Sequence, residues 1–209
     1  MRSSPDRPLA LAVLVSGAGT NLQALLDSVH GSEAEVVAVA SSVPAVLALE
    51  RAAAHGVQTA VFERSDYEDR QTRDLAIADW LQLRGTDLVV LAGYMELLSS
   101  AFLERFPAAV INVHPSLLPA FPGLHAIEQA LAYGVKTFGV TVHFVDAGVD
   151  SGPVILQGAV ELPDVHDPEE VLQALRPLEH TLLPEAVRLF ARGALHPDPE
   201  NPRRIICQP

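Results

Sequence analysis

An asparagine and a histidine stand two residues apart where an apolar run of the sequence ends. Asn112 and His114 lie at the end of the segment 108–113, which is mostly apolar and predicts a buried β-strand. Because side chains two apart on a strand point to the same side, the amide and the imidazole can face one ligand. A lone histidine at a strand end is more often structural than catalytic, so further residues are needed to favour chemistry here.

The loop that follows these two residues supplies such support. It combines backbone-restricting prolines with apolar side chains that can anchor it, namely Pro115, Pro119, Pro122, Leu117, Leu118 and Phe121. A loop of this kind holds a polar pair in a fixed geometry, as preorganised catalysis requires. In an open α/β sheet, ligands bind at the carboxyl ends of the strands, which is where the pair would lie. The sequence therefore favours a catalytic role for Asn112 and His114.

A carboxylate that could act with the imidazole lies in the glycine-rich segment DAGVDSGP, residues 146–153. Its composition predicts a turn after a strand, in which the backbone can approach a ligand closely. A carboxylate beside an imidazole favours the imidazolium and makes it a general acid near neutral pH. Asp150 is the first candidate for this carboxylate and Asp146 is the alternative. His143 is predicted to lie within a strand and to have a packing role.

Metal binding is the competing use of histidine and aspartate side chains. The sequence contains neither a His-Glu-x-x-His nor a Cys-x-x-Cys spacing, and His114 and His125 are separated by the length of a loop. These spacings are the usual signatures of protein zinc sites. We therefore expect chemistry without a metal.

A second candidate site is the segment SGAGTN, residues 16–21, between the first predicted strand and its helix. Backbone amides and the helix dipole make this position an anion site. The dinucleotide fingerprint fails, because the third glycine would fall at Leu22 and the second strand ends in serines instead of an acidic residue. A Walker A loop fails as well, since no Gly-Lys-Ser/Thr follows.

What remains for this glycine loop is a single phosphate, held by amides near Gly19 and by the side chains of Thr20 and Asn21. The structural alternative is a tight turn in which Thr20 or Asn21 caps the helix.

Alternating apolar and helical segments predict a doubly wound, mostly parallel α/β sheet with antiparallel strands in the C-terminal part. The predicted strands are 9–15, 34–41, 57–62, 87–93, 108–113 and two within 139–162, and the predicted helices are 21–31, 44–55, 65–84 and 168–191. The starts of the second and third helices are predicted from Pro44 in a first turn and from a capping box at 65–68. We predict one domain over 1–209, with a phosphate-binding half at about 9–107, a catalytic half at about 108–193 and a tail at 194–209.

Composition limits the class of protein. The 209 residues are 49% hydrophobic and carry a net charge of −12, which excludes a disordered chain and disfavours nucleic acid or an anionic membrane as partner. The single cysteine, Cys207, excludes an intramolecular disulfide framework. No apolar run reaches about 18 residues, and the N-terminal segment MRSSPDRP does not resemble a signal peptide. A cytoplasmic location is expected.

Four segments together carry a resemblance to a known family, over about residues 9–190. The sequence resembles the phosphoribosylglycinamide formyltransferases of purine biosynthesis in SGAGTNLQALL, AGYMELLS, NVHPSLLPAFPGLHA and GVTVHFVDAGVDSGPVI. The resemblance implies a Rossmann-like formyltransferase fold. It implies transfer of the formyl group of 10-formyltetrahydrofolate, the co-substrate, to the amine of phosphoribosylglycinamide. The implied partners are these small molecules, with the chain acting as a monomer or homodimer.

The resemblance also implies roles for individual residues. Asn112, His114 and Asp150 would be catalytic, the first two stabilising an oxyanion and the third relaying a proton. The phosphate would be held by Gly17, Gly19, Thr20 and Asn21, the glycinamide end would meet Glu179, and formylfolate would contact Arg64, Met95, Glu96, Leu97, Leu98 and Asn112. A cis peptide is expected before Pro119. Glu96 departs from the pattern, because the family more usually has a basic residue there.

Related proteins that use the same formylfolate motif are less compatible with this sequence. Methionyl-tRNA formyltransferases carry an additional tRNA-binding domain, and formyltetrahydrofolate deformylases add an N-terminal regulatory domain, neither of which is expected here. A formyltetrahydrofolate hydrolase activity remains the enzymatic alternative. A non-catalytic folate- or nucleotide-binding module is the other, although such a module would be expected to lose the catalytic asparagine, histidine or aspartate.

Overall fold

A seven-stranded sheet is the central feature of the computed structural model, which describes residues 7–208. Its strand order is β3-β2-β1-β4-β5-β6-β7. Strands β1 to β5 pair in parallel with one another, whereas β6 is antiparallel to both β5 and β7. The strands are β1 (Leu9–Val15), β2 (Ala34–Ser41), β3 (Gln58–Val61), β4 (Leu88–Leu91), β5 (Val110–His114), β6 (Thr137–Phe144) and β7 (Val154–Glu161).

Helices cover both faces of the sheet. Along β1, Leu11 and Val13 face one apolar cluster and Ala12 and Leu14 face another, as side-chain alternation on a strand requires. Helices α1, α2, α5 and α6 contribute to the first cluster, and α3 and α4 to the second. The helices are α1 (Thr20–Ser28), α2 (Leu47–Ala54), α3 (Arg70–Gln82), α4 (Ser100–Arg105), α5 (Ala126–Tyr133) and α6 (Pro168–Ala191). The predicted doubly wound, mostly parallel α/β class with antiparallel C-terminal strands is confirmed.

Two predicted helix starts are wrong. Helix α2 begins at Leu47, three residues after Pro44, because the intervening residues form a turn. Helix α3 begins at Arg70, since the side chain of Asp69 accepts a hydrogen bond from the Thr72 amide at 2.7 Å and caps it. The segment 64–66, where the capping box was expected, forms a separate short 3-10 helix.

Two short helices and a C-terminal hairpin were also not predicted from the sequence. Helices α4 and α5 have only 6 and 8 residues, too few for a clear helical period. The proline-rich tail contains a β-hairpin of β8 (Leu195–Pro197) and β9 (Ile205–Cys207). Most of the N-terminal segment MRSSPDRP lies outside the described residues, and among those described no helix has the length and apolar character needed to cross a membrane. The proposed division of the chain into two halves stays a prediction.

Candidate active site

Strand order determines which loops can share a site. Strands β1, β4 and β5 are parallel neighbours, so their carboxyl ends lie at the same edge of the sheet. The glycine loop follows β1, the segment 92–99 follows β4, and Asn112 and His114 end β5. Ser16 links the first two segments, because its hydroxyl accepts a hydrogen bond from the Met95 amide at 3.1 Å.

Asp150 lies between the two polar residues of β5. Its Oδ2 is 3.3 Å from His114 Nδ1, and its Oδ1 accepts a hydrogen bond from Asn112 Nδ2 at 3.3 Å. The Gly123 amide donates to Oδ2 at 2.7 Å and fixes the carboxylate from the loop side. The structure therefore brings together the three residues proposed as catalytic.

The charge state of Asp150 follows from these contacts. Partial burial alone would raise its pKa, but the hydrogen bond with His143, the Gly123 amide and the positive potential of His114 outweigh burial. Together they lower the pKa of Asp150 to about 2. The group is thus a carboxylate at neutral pH and can act only as an acceptor of hydrogen bonds or protons.

His114 is nearly buried, and each of its ring nitrogens faces an oxygen acceptor. Nε2 donates to the Phe121 carbonyl at 2.9 Å, and Nδ1 faces Asp150. A doubly protonated ring can donate to both acceptors at once, whereas a neutral ring can donate to one. An oxyanion placed beside His114 would therefore compete with Phe121 or Asp150 for a proton of this ring.

His143 also belongs to this cluster, contrary to the packing role expected from the sequence. Its Nδ1 donates to the Phe144 carbonyl at 2.8 Å, and its Nε2 lies 3.2 Å from Asn112 Nδ2 and 3.5 Å from Asp150 Oδ1. With Nδ1 donating to Phe144, Nε2 accepts from the Asn112 amide when it carries no proton and donates to Asp150 when it does. Asn112 and His143 are direct partners in the antiparallel β5–β6 pair. Sequence reasoning missed this because the β5–β6 register was not considered.

Asp146, the alternative carboxylate, has a different set of contacts. Its Oδ1 accepts hydrogen bonds from the Gly148 amide at 3.0 Å and from the Ser151 hydroxyl at 2.7 Å. Both partners lie in the same turn, so Asp146 braces the segment that carries Asp150. The geometry favours Asp150 as the residue that acts with His114.

A cavity of about 530 Å³ opens next to Asn112, His114, His143 and Asp150, which we call the proposed catalytic cluster. The cluster forms one wall, and the segments after β4 and around Gly123 form the others. Several apolar side chains that line the cavity are exposed, including Met95, Leu97, Leu124 and Val149. Such a cavity suits an organic ligand with a few polar groups. Among the residues expected to contact formylfolate, the structure places Met95, Glu96, Leu97, Leu98 and Asn112 in the wall.

Arg64 differs from this expectation. It lies in the 3-10 helix before α3 and is not among the lining residues, whereas Arg70, the first residue of α3, is. The difference comes from the position of the helix start, since capping by Asp69 places Arg70 at the end of α3 that reaches the cavity. Arg70 is the cationic residue that sequence reasoning missed.

Glu96 is held by helix α3. Its Oε2 lies 3.3 Å from the Arg73 guanidinium, whose side chain is 1% exposed. The neighbouring Asp74 accepts a hydrogen bond from the Ser99 amide at 2.6 Å. These two contacts fasten the middle and the C-terminal end of the segment 92–99 to α3. The acidic residue at position 96 is therefore compensated by a buried arginine.

The glycine loop forms a second group of candidate residues. Gly19 is the N-cap residue of α1 with a φ of 72°, so Thr20 and Asn21 lie inside the helix instead of capping it. The loop backbone is held from α2, where the Ala48 amide donates to Gly17 at 3.2 Å and Arg51 Nε donates to Ala18 at 3.0 Å. The amides at the start of α1 are thus presented at the same sheet edge as the catalytic cluster.

Glu179 of α6 joins this group through Asn21. Asn21 Nδ2 donates to Glu179 Oε2 at 3.2 Å, and both side chains are nearly buried. Burial raises the pKa of Glu179, and the hydrogen bond from Asn21 offsets this in part. The structure therefore places Glu179 beside the glycine loop.

The Leu118–Pro119 peptide is cis, as the resemblance predicts.

Comparison with known proteins identifies the family. A model of the formyl transferase family matches residues 9–187. The chain belongs to the formyl transferases. Within residues 7–208 of this formyl transferase, no group of three or more His, Cys, Asp or Glu side chains is arranged to hold a metal ion.

Individual relatives of this formyl transferase have names related to purine synthesis. It is 38% identical to a phosphoribosylglycinamide formyltransferase of Haemophilus influenzae, over 88% of each chain. It is 41% identical over 93% of its length to the trifunctional purine biosynthetic protein adenosine-3 of Drosophila melanogaster, but spans only 15% of that relative. A glycinamide ribonucleotide transformylase 1 from Symbiobacterium toebii superimposes with a TM-score of 0.93, at 45% identity over 97% of this chain and 95% of that chain. These comparisons confirm the resemblance found in the sequence.

Proposed function

We propose that this formyl transferase moves the formyl group of 10-formyltetrahydrofolate to the amine of 5′-phosphoribosylglycinamide. The single observation that carries the proposal is the Asp150 carboxylate, held between His114 and Asn112 at the wall of the cavity. Relatives over most of the chain bear the name of this activity. A folate-sized ligand in the cavity would present its formyl carbon to the cluster.

Each of the two groups of residues, the glycine loop with Glu179 and the proposed catalytic cluster, would bind one part of the substrates. The amides at the start of α1, with Thr20 and Asn21, would hold the phosphate of the ribonucleotide. This local site can bind an anion although the chain carries a net charge of −12. Glu179, next to Asn21, would accept a hydrogen bond from the glycinamide end. The amine would then lie between the glycine loop and Asp150, facing the formyl group.

The reaction needs one proton to leave the attacking nitrogen and one to reach the departing nitrogen. The amine lone pair attacks the formyl carbon and forms a C–N bond, and the carbonyl π electrons become an oxyanion. Donors at Asn112 and His114 would stabilise this oxyanion by exchanging their bonds to Asp150 and Phe121. Asp150, directly or through a water molecule, would accept the proton of the amine. The oxyanion lone pair then re-forms the carbonyl as the C–N bond to folate breaks, and the folate nitrogen takes up the proton that Asp150 accepted.

We further propose that the protein acts in the cytoplasm on these soluble small molecules, as a monomer or homodimer. The acidic charge of the chain supports small molecules as partners, because it disfavours association with nucleic acid or anionic membranes.

The test of the proposed function is an assay with purified protein, 10-formyltetrahydrofolate and phosphoribosylglycinamide, followed by the absorbance of deformylated folate. We expect deformylated folate to form only when the amine substrate is present, because water is a poorer nucleophile than the amine that would lie beside Asp150. Release of folate at the same rate without the amine would identify a hydrolase. No release under either condition, with both ligands bound, would identify a non-catalytic module.

A further inference from the structure

The C-terminal hairpin contacts the loop that carries Asp150. Arg203, in the turn between β8 and β9, donates from Nη2 to the Ser151 carbonyl at 2.7 Å. The two residues are 52 positions apart in the sequence. Since Ser151 directly follows Asp150, this bond acts on the backbone next to the proposed proton acceptor.

Other contacts dock the same hairpin beside this loop. Arg204 forms a parallel backbone bridge with Val154, the first residue of β7. Cys207 Sγ lies 3.8 Å from the Ile155 carbonyl, one residue further along the strand. The hairpin thus follows the chain from the end of the Asp150 loop into β7. It lies beyond the part of the chain that matches the family model, which ends at residue 187.

The loop that carries Asp150 contains a strained backbone position. Asp150 has a φ of 48°, in the left-handed region that non-glycine residues rarely adopt. Such a conformation persists only where the surroundings fix it. Inside the loop, Asp146 binds Gly148 and Ser151, and from outside Gly123 binds the Asp150 carboxylate. Arg203 adds a contact to the backbone immediately after the strained residue.

We propose that Arg203 is a positioning residue, which keeps Asp150 in reach of His114 by fixing the Ser151 carbonyl. The proposal rests on the proposed function for its catalytic consequence, but the geometric coupling does not depend on it. Without the bond, the loop is free to move, and Asp150 spends less time 3.3 Å from His114 Nδ1.

The test compares Arg203→Ala with Arg204→Ala. The Arg204 side chain pairs with Asp198 inside the hairpin, at 3.4 Å, and serves as a matched control for loss of one exposed arginine. For Arg203→Ala we expect kcat to fall by about 2- to 10-fold, the range for one hydrogen bond, while the KM values change by less than about twofold. Arg203→Lys should restore part of kcat, because an ammonium can still donate to the carbonyl.

Hydrogen–deuterium exchange of residues 146–154 gives a second measurement that needs no activity. Exchange there should be faster in Arg203→Ala than in the unchanged protein and in Arg204→Ala. Equal exchange in the two variants, or equal kcat values, would overturn the positioning role. If the unchanged protein transfers no formyl group, the proposed function fails, and the exchange comparison still decides whether Arg203 holds the loop.

Discussion

Replacing Asp150 with asparagine tests the assignment of roles in the catalytic cluster. The change preserves the shape of the side chain and removes its charge. The Gly123 amide can still donate to an amide oxygen, so the loop keeps its contact with the carboxamide. His114 Nδ1, however, loses the carboxylate 3.3 Å away, and the attacking amine would lose its proposed proton acceptor. We expect kcat to fall by about 10²- to 10⁴-fold, the range for loss of acid–base catalysis.

The stability of the same variant follows from the pKa of Asp150. That pKa is lowered from its ordinary value of 3.8 to about 2, so the carboxylate stabilises the fold above pH 3.8 and this contribution is lost as the pH falls towards 2. At neutral pH the shift corresponds to at most about 2 kcal/mol, and to less after screening by solvent. For a chain of this size, Tm should fall by no more than about 8 °C. Thermal unfolding at pH 7 and pH 3 measures both effects, and the difference between the proteins should shrink at the lower pH.

The control for this experiment is Asp146→Asn in the same loop. Because Asp146 braces the turn through Ser151 and Gly148, its replacement should reduce kcat by less than about tenfold. Both variants are assayed for formyl transfer at saturating substrates, with ribonucleotide binding measured by calorimetry. If Asp150→Asn keeps nearly full turnover while Asp146→Asn loses it, the assignment of Asp150 is refuted and Asp146 takes its place.

Three further substitutions test the glycine loop. Gly19→Ala should lower the free energy of unfolding by about 1–3 kcal/mol in urea, because a Cβ there would lie 2.6 Å from that of Ala48 at a φ of 72°; an unchanged midpoint contradicts this. Asn21→Ala should raise KM for the ribonucleotide about tenfold or more and leave KM for formylfolate nearly unchanged, whereas equal increases count against phosphate binding. Glu179→Gln should lose activity yet gain stability at neutral pH. Burial raises the Glu179 pKa, so the folded state loses stability as the pH rises and this group ionises, and glutamine does not ionise. If the Gln variant is no more stable at pH 8 than the unchanged protein, ionisation of Glu179 does not destabilise the folded state.

The sequence predicts best the elements whose residues are buried on both faces or carry clear caps. Strands β1 and β2 have the predicted bounds, because a continuous apolar run is what a central parallel strand requires. Helix α6 also has its predicted bounds, with Pro168 in its first turn and Asp167 as its cap. These signals are local, so no knowledge of distant neighbours is needed to interpret them.

The site residues that sequence reasoning missed depend on contacts between distant segments. His143 enters the catalytic cluster only through its pairing with Asn112 across β5 and β6. Arg70 reaches the cavity because Asp69, and not the capping box further back, starts α3. The ion pair that compensates Glu96 comes from Arg73, 23 residues earlier. In each case the residue type was visible, but its neighbours were set by register or by helix position.

Strained backbone positions are concentrated around the proposed catalytic cluster. Among the described residues, the non-glycine positions with positive φ are Ala45, Ala108, Phe121, His125 and Asp150. The last three border the cluster: the Phe121 carbonyl binds His114, His125 lines the cavity, and Asp150 contacts both polar residues of β5. Left-handed backbone costs of order 1–3 kcal/mol at a non-glycine residue and persists only when other contacts fix it. The proline-rich loop, the Gly123 amide and the Arg203 side chain provide such contacts here, so the same features that hold the catalytic groups in place also maintain the strain.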